Sequence, residues 1–260
     1  MDLGYGLAGL VVGFLVGMTG VGGGSLMAPL LILFFGFNPA VAVGTDLWFA
    51  AVTKTFGGVM HGRLGSPDWA IVRRLALGSV PAAIATLLWL GMFQGGRLES
   101  DVLLDLLGIA LLASAIVLPL KDRLRQPTIR LRDRLGPNVR GAQLITTIVC
   151  GAGVGALVTL TSVGAGALVA VLLMILYPLR LGTKSVVGTD ILHAIPLAFV
   201  AAIGHSWLGN VDWALLGQLL VGSIPGILIG STIVGRVNEG VVRLVLATML
   251  GLTGLKLILG

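Results

Sequence analysis

The sequence predicts an all-α polytopic membrane protein made of two inverted-topology repeats of five helical segments each, with a glycine-broken short-helix hairpin in each repeat. The first support is composition, because 56% of the 260 residues are hydrophobic and only 11% are charged, against about 25% charged in soluble domains. The second is a motif at 43–46 that recurs at 187–190, and the third is a basic segment between the two copies. These features exclude a soluble globule and a disordered chain, and a single cysteine excludes a disulfide scaffold.

Each half of the chain contains five apolar segments in the same order. They cover residues 3–18, 25–36, 40–60, 69–91 and 101–120, and then 142–160, 165–178, 185–204, 213–235 and 240–259. Helices are predicted because an open sheet cannot satisfy its backbone polar groups in lipid. A membrane β-barrel would need alternating polar residues, which these segments lack.

An internal repeat organises the segments into two halves. Val43-Gly-Thr-Asp46 recurs as Val187-Gly-Thr-Asp190, an offset of 144 residues, and other residues match at the same offset. The matching pairs are His61 with His205, Gly65 with Gly209, Asp68-Trp69 with Asp212-Trp213, Gly78-Ser79 with Gly222-Ser223, and Pro81 with Pro225. The predicted division is a first transmembrane repeat at 1–120, a basic linker at 121–141 and a second repeat at 142–260.

The basic linker sets the predicted orientation. It contains seven basic and two acidic residues, a net charge of +5, which the positive-inside rule places in the cytoplasm. Loops 36–40 and 178–185 then lie on opposite sides, so the repeats are inverted, as in many secondary transporters. The sequence thus predicts a multi-pass membrane protein with both termini on the periplasmic side. Nucleic acid is not an expected partner, because no aromatic residues are interleaved with the basic ones.

The glycine-rich breaks are the first candidate site. Segment 25–36 rises only about 18 Å as a helix, against a core of about 30 Å, and it follows the break Thr19–Gly24. The second half repeats this at Thr161–Gly166. Each pair predicts a hairpin, spanning or re-entrant, whose tip lies near mid-membrane, where helix N-terminal N–H groups can bind an anion. The predicted substrate-binding residues are Thr19, Gly20, Val21, Gly22, Gly23, Gly24, Ser25, Thr45, Thr161, Ser162, Val163, Gly164, Ala165, Gly166 and Thr189.

The glycines also have a purely structural interpretation, in which they only permit close helix packing. The spacing of Gly9, Gly13 and Gly17 is typical of such packing. A run of three glycines at 22–24 fits it less well, because glycines weaken a helix.

Ionisable residues inside the apolar segments are the second candidate site. Asp46 and Asp190 follow the repeated Gly-Thr, and a carboxylate in a membrane segment is a functional candidate. His193 lies one helical turn after Asp190, and Lys54 lies eight residues after Asp46. Proton coupling or gating is predicted for these four residues. The alternative is that the aspartates cap the broken helices and hold the hairpins in place.

Asp68-Trp69 and Asp212-Trp213 start two long segments, where Asp is typical of an N-cap and Trp of an interface anchor. His61 and His205 precede them, and interfacial hydrogen bonding is expected there. No second ligand lies at helical spacing from either histidine, so neither a metal site nor a cofactor is predicted.

These motifs resemble those of the TauE/SafE family of membrane permeases, the sulfite exporter family. The resemblance covers nearly the whole chain and rests on Gly20-Val-Gly-Gly-Gly24, on the two Gly-Thr motifs and on the pattern His-x-x-x-Gly-x-x-Asp-Trp at 61–69 and 205–213. It implies an inner-membrane secondary transporter that exports small sulfur-containing anions. Serine often follows Gly-Thr in that family, whereas Asp46 and Asp190 stand here, which suggests proton coupling or another substrate.

The predicted function is therefore a permease that exports a small sulfur-containing anion, such as sulfite or a sulfonate like sulfoacetate, bound between the two hairpin tips. The alternative is a proton-coupled permease for a different small solute, with Asp46 and Asp190 as the substrate or proton site. An intramembrane enzyme is less favoured, because no Gly-x-Ser-x-Gly occurs and few ionisable groups lie in the apolar segments. An anion channel is less favoured, because closed hairpins at mid-membrane favour a carrier. The expected partners are a small anion and membrane lipid, with assembly into a homo-oligomer left open.

Overall fold

The computed structural model describes residues 3–19, 26–60, 67–135, 140–164, 166–233 and 239–260. Within these ranges the chain is helical throughout apart from the connecting turns. The helices are α1 (Leu3–Thr19), α2 (Met27–Phe35), α3 (Pro39–Met60), α4 (Trp69–Phe93), α5 (Ser100–Leu135), α6 (Arg140–Thr161), α7 (Ala167–Leu176), α8 (Thr183–Trp207), α9 (Trp213–Ile233) and α10 (Glu239–Leu259).

Six of the described helices are long and apolar enough to cross a membrane. They are α4, residues 100–120 of α5, residues 143–161 of α6, residues 185–207 of α8, α9, and residues 240–259 of α10. Large apolar side chains lie exposed on their outer faces, such as Leu77 at 65% and Leu252 at 66%. The all-helical membrane fold predicted from the sequence is thus confirmed.

The basic segment differs from the expected loop, because α5 continues through residues 121–135. The 36 residues of α5 rise about 54 Å, which is well beyond the bilayer core of about 30 Å. Lys, Arg and Leu are good helix formers, so a charged segment of this composition can extend a helix into water. Its cytoplasmic location stays a prediction.

The two halves interlock through glycine-lined helix pairs. In the first pair α1 packs against α9, and in the second α6 packs against α4. A Cβ atom on Gly13 would meet the backbone of Ser223, and one on Gly155 would meet the backbone of Ser79. These contacts correspond under the repeat offset, and they confirm the packing role predicted for the glycines of α1.

Corresponding helices of the two halves also pack against each other in antiparallel pairs. In the pair of α5 and α10, Gly108 approaches Gly254 and Ile258, whereas Gly251 approaches Ala115 further along α5. In the pair of α3 and α8, the Trp48 Nε1 donates to Ser206 Oγ at 2.7 Å. Antiparallel packing of equivalent helices favours the predicted inversion, whose orientation in the membrane stays a prediction.

Each short helix returns along its predecessor, so the two ends of each hairpin meet. The Tyr5 and Phe35 ring centroids lie 4.9 Å apart, and the hydroxyls of Thr147 and Tyr177 lie 2.8 Å apart. Helices α2 and α7 have nine and ten residues and rise about 14–15 Å. A helix of this length covers about half of a core of about 30 Å, which favours the predicted mid-membrane position of the hairpin tips.

Candidate functional site

A buried polar cluster lies where α3 crosses α8, and it joins the ionisable residues predicted from the two halves. Asp46, Lys54, Asp190 and His193 are exposed by only 0%, 8%, 1% and 0%. The Lys54 ammonium interacts electrostatically with both carboxylates, and it also faces His193. The structure thus brings all four residues together, because the antiparallel crossing sets the end of α3 against the start of α8.

The Asp46 carboxylate binds the N-terminus of α2. The Ala28 N–H, in the first turn of α2, donates to Asp46 Oδ2 at 3.3 Å. The N-cap residue Leu26 makes no side-chain hydrogen bond to the N–H groups of this helix end. The helix dipole favours a carboxylate there. Asp46 therefore occupies the position in which an anion would bind, as the capping interpretation of this residue predicts.

The second break contributes Ser162 to the same cluster. Ser162 has φ 57°, a left-handed conformation that a non-glycine residue seldom adopts. Its side chain is one of the groups that interact with Asp46. Ser162 Oγ and Asp46 Oδ1 are both buried and have no hydrogen-bond partner among the residues that the structure describes.

The other predicted residues of the second break are placed differently. Thr161 Oγ1 donates to Leu157 O at 2.7 Å and accepts from Val163 N at 3.1 Å, so this hydroxyl closes the end of α6. Gly164 has φ 113° and Gly166 is the N-cap of α7. Ala165 lies outside the described residues, so its predicted role has no structural account.

The first break is only partly described. Thr19 ends α1, whereas Gly20, Val21, Gly22, Gly23, Gly24 and Ser25 lie outside the described residues. The flanks of the two breaks lie in one buried apolar cluster, which contains Leu26 and Val163 together with Leu107 of α5 and Leu250 of α10.

The second break lies beside the last turn of α8. His205 Nε2, three residues before Leu208 at the end of α8, donates to Thr159 O near the end of α6 at 2.9 Å. The mid-membrane depth of this break stays a prediction.

Thr45 and Thr189 make reciprocal contacts between the halves. The Asp212 N–H donates to Thr45 Oγ1 and the Asp68 N–H donates to Thr189 Oγ1, both at 3.0 Å. Each Gly-Thr hydroxyl thereby holds the start of a long helix of the other half. Substrate binding by these two threonines stays a prediction.

The repeated Asp-Trp motifs start α4 and α9 as expected. The Asp68 carboxylate accepts from the N–H groups of Ala70 and Ile71, and Asp212 accepts from Leu215 N. The Asp68 carboxylate also forms a bidentate ion pair with Arg180, in which Arg180 Nε donates to Oδ2 at 2.6 Å and Arg180 Nη2 donates to Oδ1 at 3.0 Å. The predicted N-caps are thus confirmed, whereas His61 lies outside the described residues.

Three polar contacts were missed by sequence reasoning. Ser79 Oγ of α4 lies 2.8 Å from His193 Nε2 of α8. Arg97 Nε donates to Asn210 Oδ1 at 2.7 Å, and Asn210 Nδ2 donates to Gly96 O at 2.8 Å. The two bonds of Asn210 link the turn after α4 to the turn after α8. The matched Gly78-Ser79 and Gly222-Ser223 motifs were a signal for Ser79, but no pattern pointed to Arg97.

Comparison with known proteins agrees with the helical membrane fold. The family model described as sulfite exporter TauE/SafE matches residues 5–257. "Probable membrane transporter protein YjnA" of Bacillus subtilis is 38% identical over 256 residues, 97% of this chain and 98% of that protein. "Probable membrane transporter protein MJ0441" of Methanocaldococcus jannaschii is 26% identical, over 97% of this chain and 94% of that protein. No solved structure matches. The chain is therefore a multi-pass membrane transporter and belongs to the TauE/SafE family.

Proposed function

We propose that this permease carries a small sulfur-containing anion, such as sulfite or a sulfonate, outward across the bacterial inner membrane. The observation that carries the proposal is the buried Lys54 ammonium at the crossing of the two halves. It interacts with Asp46, whose carboxylate binds the first turn of α2. A small oxyanion can accept hydrogen bonds from an ammonium and from helix N-terminal amides together. The family description, sulfite exporter, supports this substrate class.

The proposed binding site lies between the break residues and the cluster. Lys54 supplies the positive charge, the first turn of α2 supplies N–H donors, and Ser162 supplies a hydroxyl from the other half. Gly20-Val-Gly-Gly-Gly24 of the first break are part of the proposed site by the sequence repeat alone, since they lie outside the described residues. Because these groups come from both halves, a small movement of one half against the other can open the site to either side, as in other repeat-built transporters.

Transport by purified protein in proteoliposomes tests the proposal. Liposomes loaded in turn with labelled sulfite, sulfate, thiosulfate, sulfoacetate, taurine or chloride are followed for efflux against protein-free liposomes. We expect saturable efflux of at least one sulfur anion. A thermal stability screen with the same anions identifies the ligand independently, since a ligand at 100 times its dissociation constant stabilises by about 2.7 kcal/mol.

The Lys54→Gln variant identifies the site, and we expect its efflux to fall about tenfold or more. A hydrogen bond to a charged group contributes about 1.5–3 kcal/mol, and 1.4 kcal/mol corresponds to a factor of ten. Lys256→Gln is the matched control, because Lys256 lies exposed in the last turn of α10. Saturable transport of a cation or a neutral solute, with no efflux of any sulfur anion, would overturn the proposal.

The two buried carboxylates, Asp46 and Asp190, favour a second candidate function. If Asp46 and Asp190 bind the solute directly, the substrate is a small cation or a polar neutral molecule. The same flux assay separates the two candidates, because a cationic substrate would lose transport in Asp190→Asn while sulfur anions would give no flux.

A further inference from the structure

The Asp46 carboxylate has a buried oxygen that the described structure leaves without a partner. Asp46 is 0% exposed. Its Oδ2 accepts from Ala28 N, whereas its Oδ1 has no hydrogen-bond partner among the described residues. A buried carboxylate is stable only when its charge is paired or when it binds a proton.

Polar and charged groups from several elements surround Asp46. The groups that face it are the Ser162 hydroxyl from the second break, the Ala28 amide from α2 and the Lys54 ammonium from α3. Lys54 also interacts with Asp190 of α8 and with His193 of α8, and His193 Nε2 lies 2.8 Å from Ser79 Oγ of α4. Among the described residues Lys54 is thus shared by two carboxylates, and a proton on Asp46 removes one of these two negative charges.

We propose that Asp46 is a proton-binding site and that the permease moves one proton together with each anion. This inference rests on the proposed function. The proton binds Asp46 Oδ1 and no other bond forms or breaks, so the neutral carboxyl can donate its hydrogen to Ser162 Oγ. Asp46 Oδ1 and Ser162 Oγ, which both lack a hydrogen-bond partner among the described residues, are satisfied in this way.

The position of Asp46 links proton binding to anion binding. The charged carboxylate holds the α2 amide in the way an anion would, so it competes with the substrate for that helix end. Protonation removes the negative charge of Asp46. Lys54 and the α2 N-terminus can then attract the substrate anion instead of the carboxylate. The anion and the proton therefore bind together and leave together.

Coupling of this kind alters the driving force. A monovalent anion that moves with one proton carries no net charge, so the membrane potential does not drive it. Net export then requires an outward anion gradient larger than the inward proton gradient.

Proton movement in proteoliposomes tests the inference directly. Liposomes that contain a trapped pH indicator, in sodium-free buffer, receive an outward gradient of the transported anion. We expect the lumen to become alkaline as the anion leaves, with one proton per anion. A valinomycin-imposed voltage should have no effect on the flux of a monovalent anion and should affect a divalent anion as a single negative charge. Anion efflux without a pH change, or efflux that requires sodium, would overturn the inference while the proposed function would stand.

The Asp46→Asn variant keeps an oxygen for the Ala28 amide but cannot bind the proton. We expect it to retain anion flux that no longer depends on pH, with a proton-to-anion ratio near zero and with voltage dependence. Asp105→Asn is the matched control, because Asp105 is exposed on α5. An unchanged proton-to-anion ratio in Asp46→Asn would overturn the assignment.

Infrared difference spectroscopy gives a readout that does not depend on transport. Spectra of the purified protein at acidic and alkaline pH are expected to differ by a protonated-carboxyl band that Asp46→Asn lacks and Asp105→Asn keeps. Absence of that band in the unmodified protein would overturn proton binding. Absence of flux for every sulfur anion, with the band present, would overturn the proposed function instead.

Discussion

At the scale of single residues, the reciprocal contacts of Thr45 and Thr189 give a prediction about stability. Both hydroxyls are fully buried, and each accepts a backbone N–H from the other half. We expect Thr45→Val and Thr189→Val each to lower the free energy of unfolding by about 1–3 kcal/mol, because a buried N–H is left unsatisfied. Thermal unfolding in detergent measures the loss.

Thr248→Val is the control for this pair of variants. Thr248 Oγ1 is exposed and donates only to Leu244 O of its own helix, so its loss should leave the melting temperature unchanged. Equal melting temperatures for all three variants would contradict a role of the Gly-Thr hydroxyls in joining the halves.

The sequence predicted which polar residues matter better than it predicted their partners. Asp46 and Asp190 were found because a carboxylate in an apolar segment is costly and therefore conspicuous. The approach of Lys54 to Asp190 could not be predicted, because it depends on the antiparallel crossing of helices that start more than a hundred residues apart. Arg97 and Asn210 look like ordinary loop residues until the two turns are seen to bond each other.

At the scale of helices, glycines that look alike in the sequence have different surroundings. Gly153 and Gly155 both lie in α6, yet a Cβ on Gly155 would meet the Ser79 backbone while one on Gly153 would meet nothing within 4 Å. We expect Gly155→Ala to destabilise the protein by about 1–3 kcal/mol, as overpacking does. Thermal unfolding of purified variants measures the difference.

Gly153→Ala is the matched control and should be neutral or slightly stabilising, because Ala is favoured over Gly in a helix by about 1 kcal/mol. Similar melting temperatures for the two variants would show that α4 and α6 do not approach as closely as described.

Helix boundaries followed from the sequence to within a few residues, because ends of apolar segments coincide with Asp N-caps and glycine breaks. The end of α5 could not be predicted from the sequence in this way. The change from apolar to basic residues near 120 marks the end of a membrane segment, but hydrogen bonding along a helix does not need an apolar surface. Solvent replaces lipid there, and the helix continues to Leu135.

At the scale of the whole molecule, the predicted inversion places corresponding turns on opposite sides of the membrane. Asn38 precedes α3 and Leu179 precedes α8, and both are exposed. In a Cys150→Ser background, we expect Asn38→Cys to react with an impermeant maleimide added to intact cells and Leu179→Cys to react only after the membrane is opened.

Labelling of both positions from the same side would contradict the inversion. Denatured protein, in which both cysteines must react, controls for the reactivity of each position. The assay also fixes the direction of the whole chain, including the predicted cytoplasmic location of 121–141.

The interlocked glycine pairs have a consequence for synthesis of the chain. Helix α1 leaves the ribosome first, but the α9 surface that covers its glycines is made about two hundred residues later. At about 5–20 residues per second, roughly 10–40 seconds pass before that partner exists. During this interval α1 must be retained by the insertion machinery or by lipid. The first half is then a partly assembled intermediate, and its degradation competes with completion of the protein.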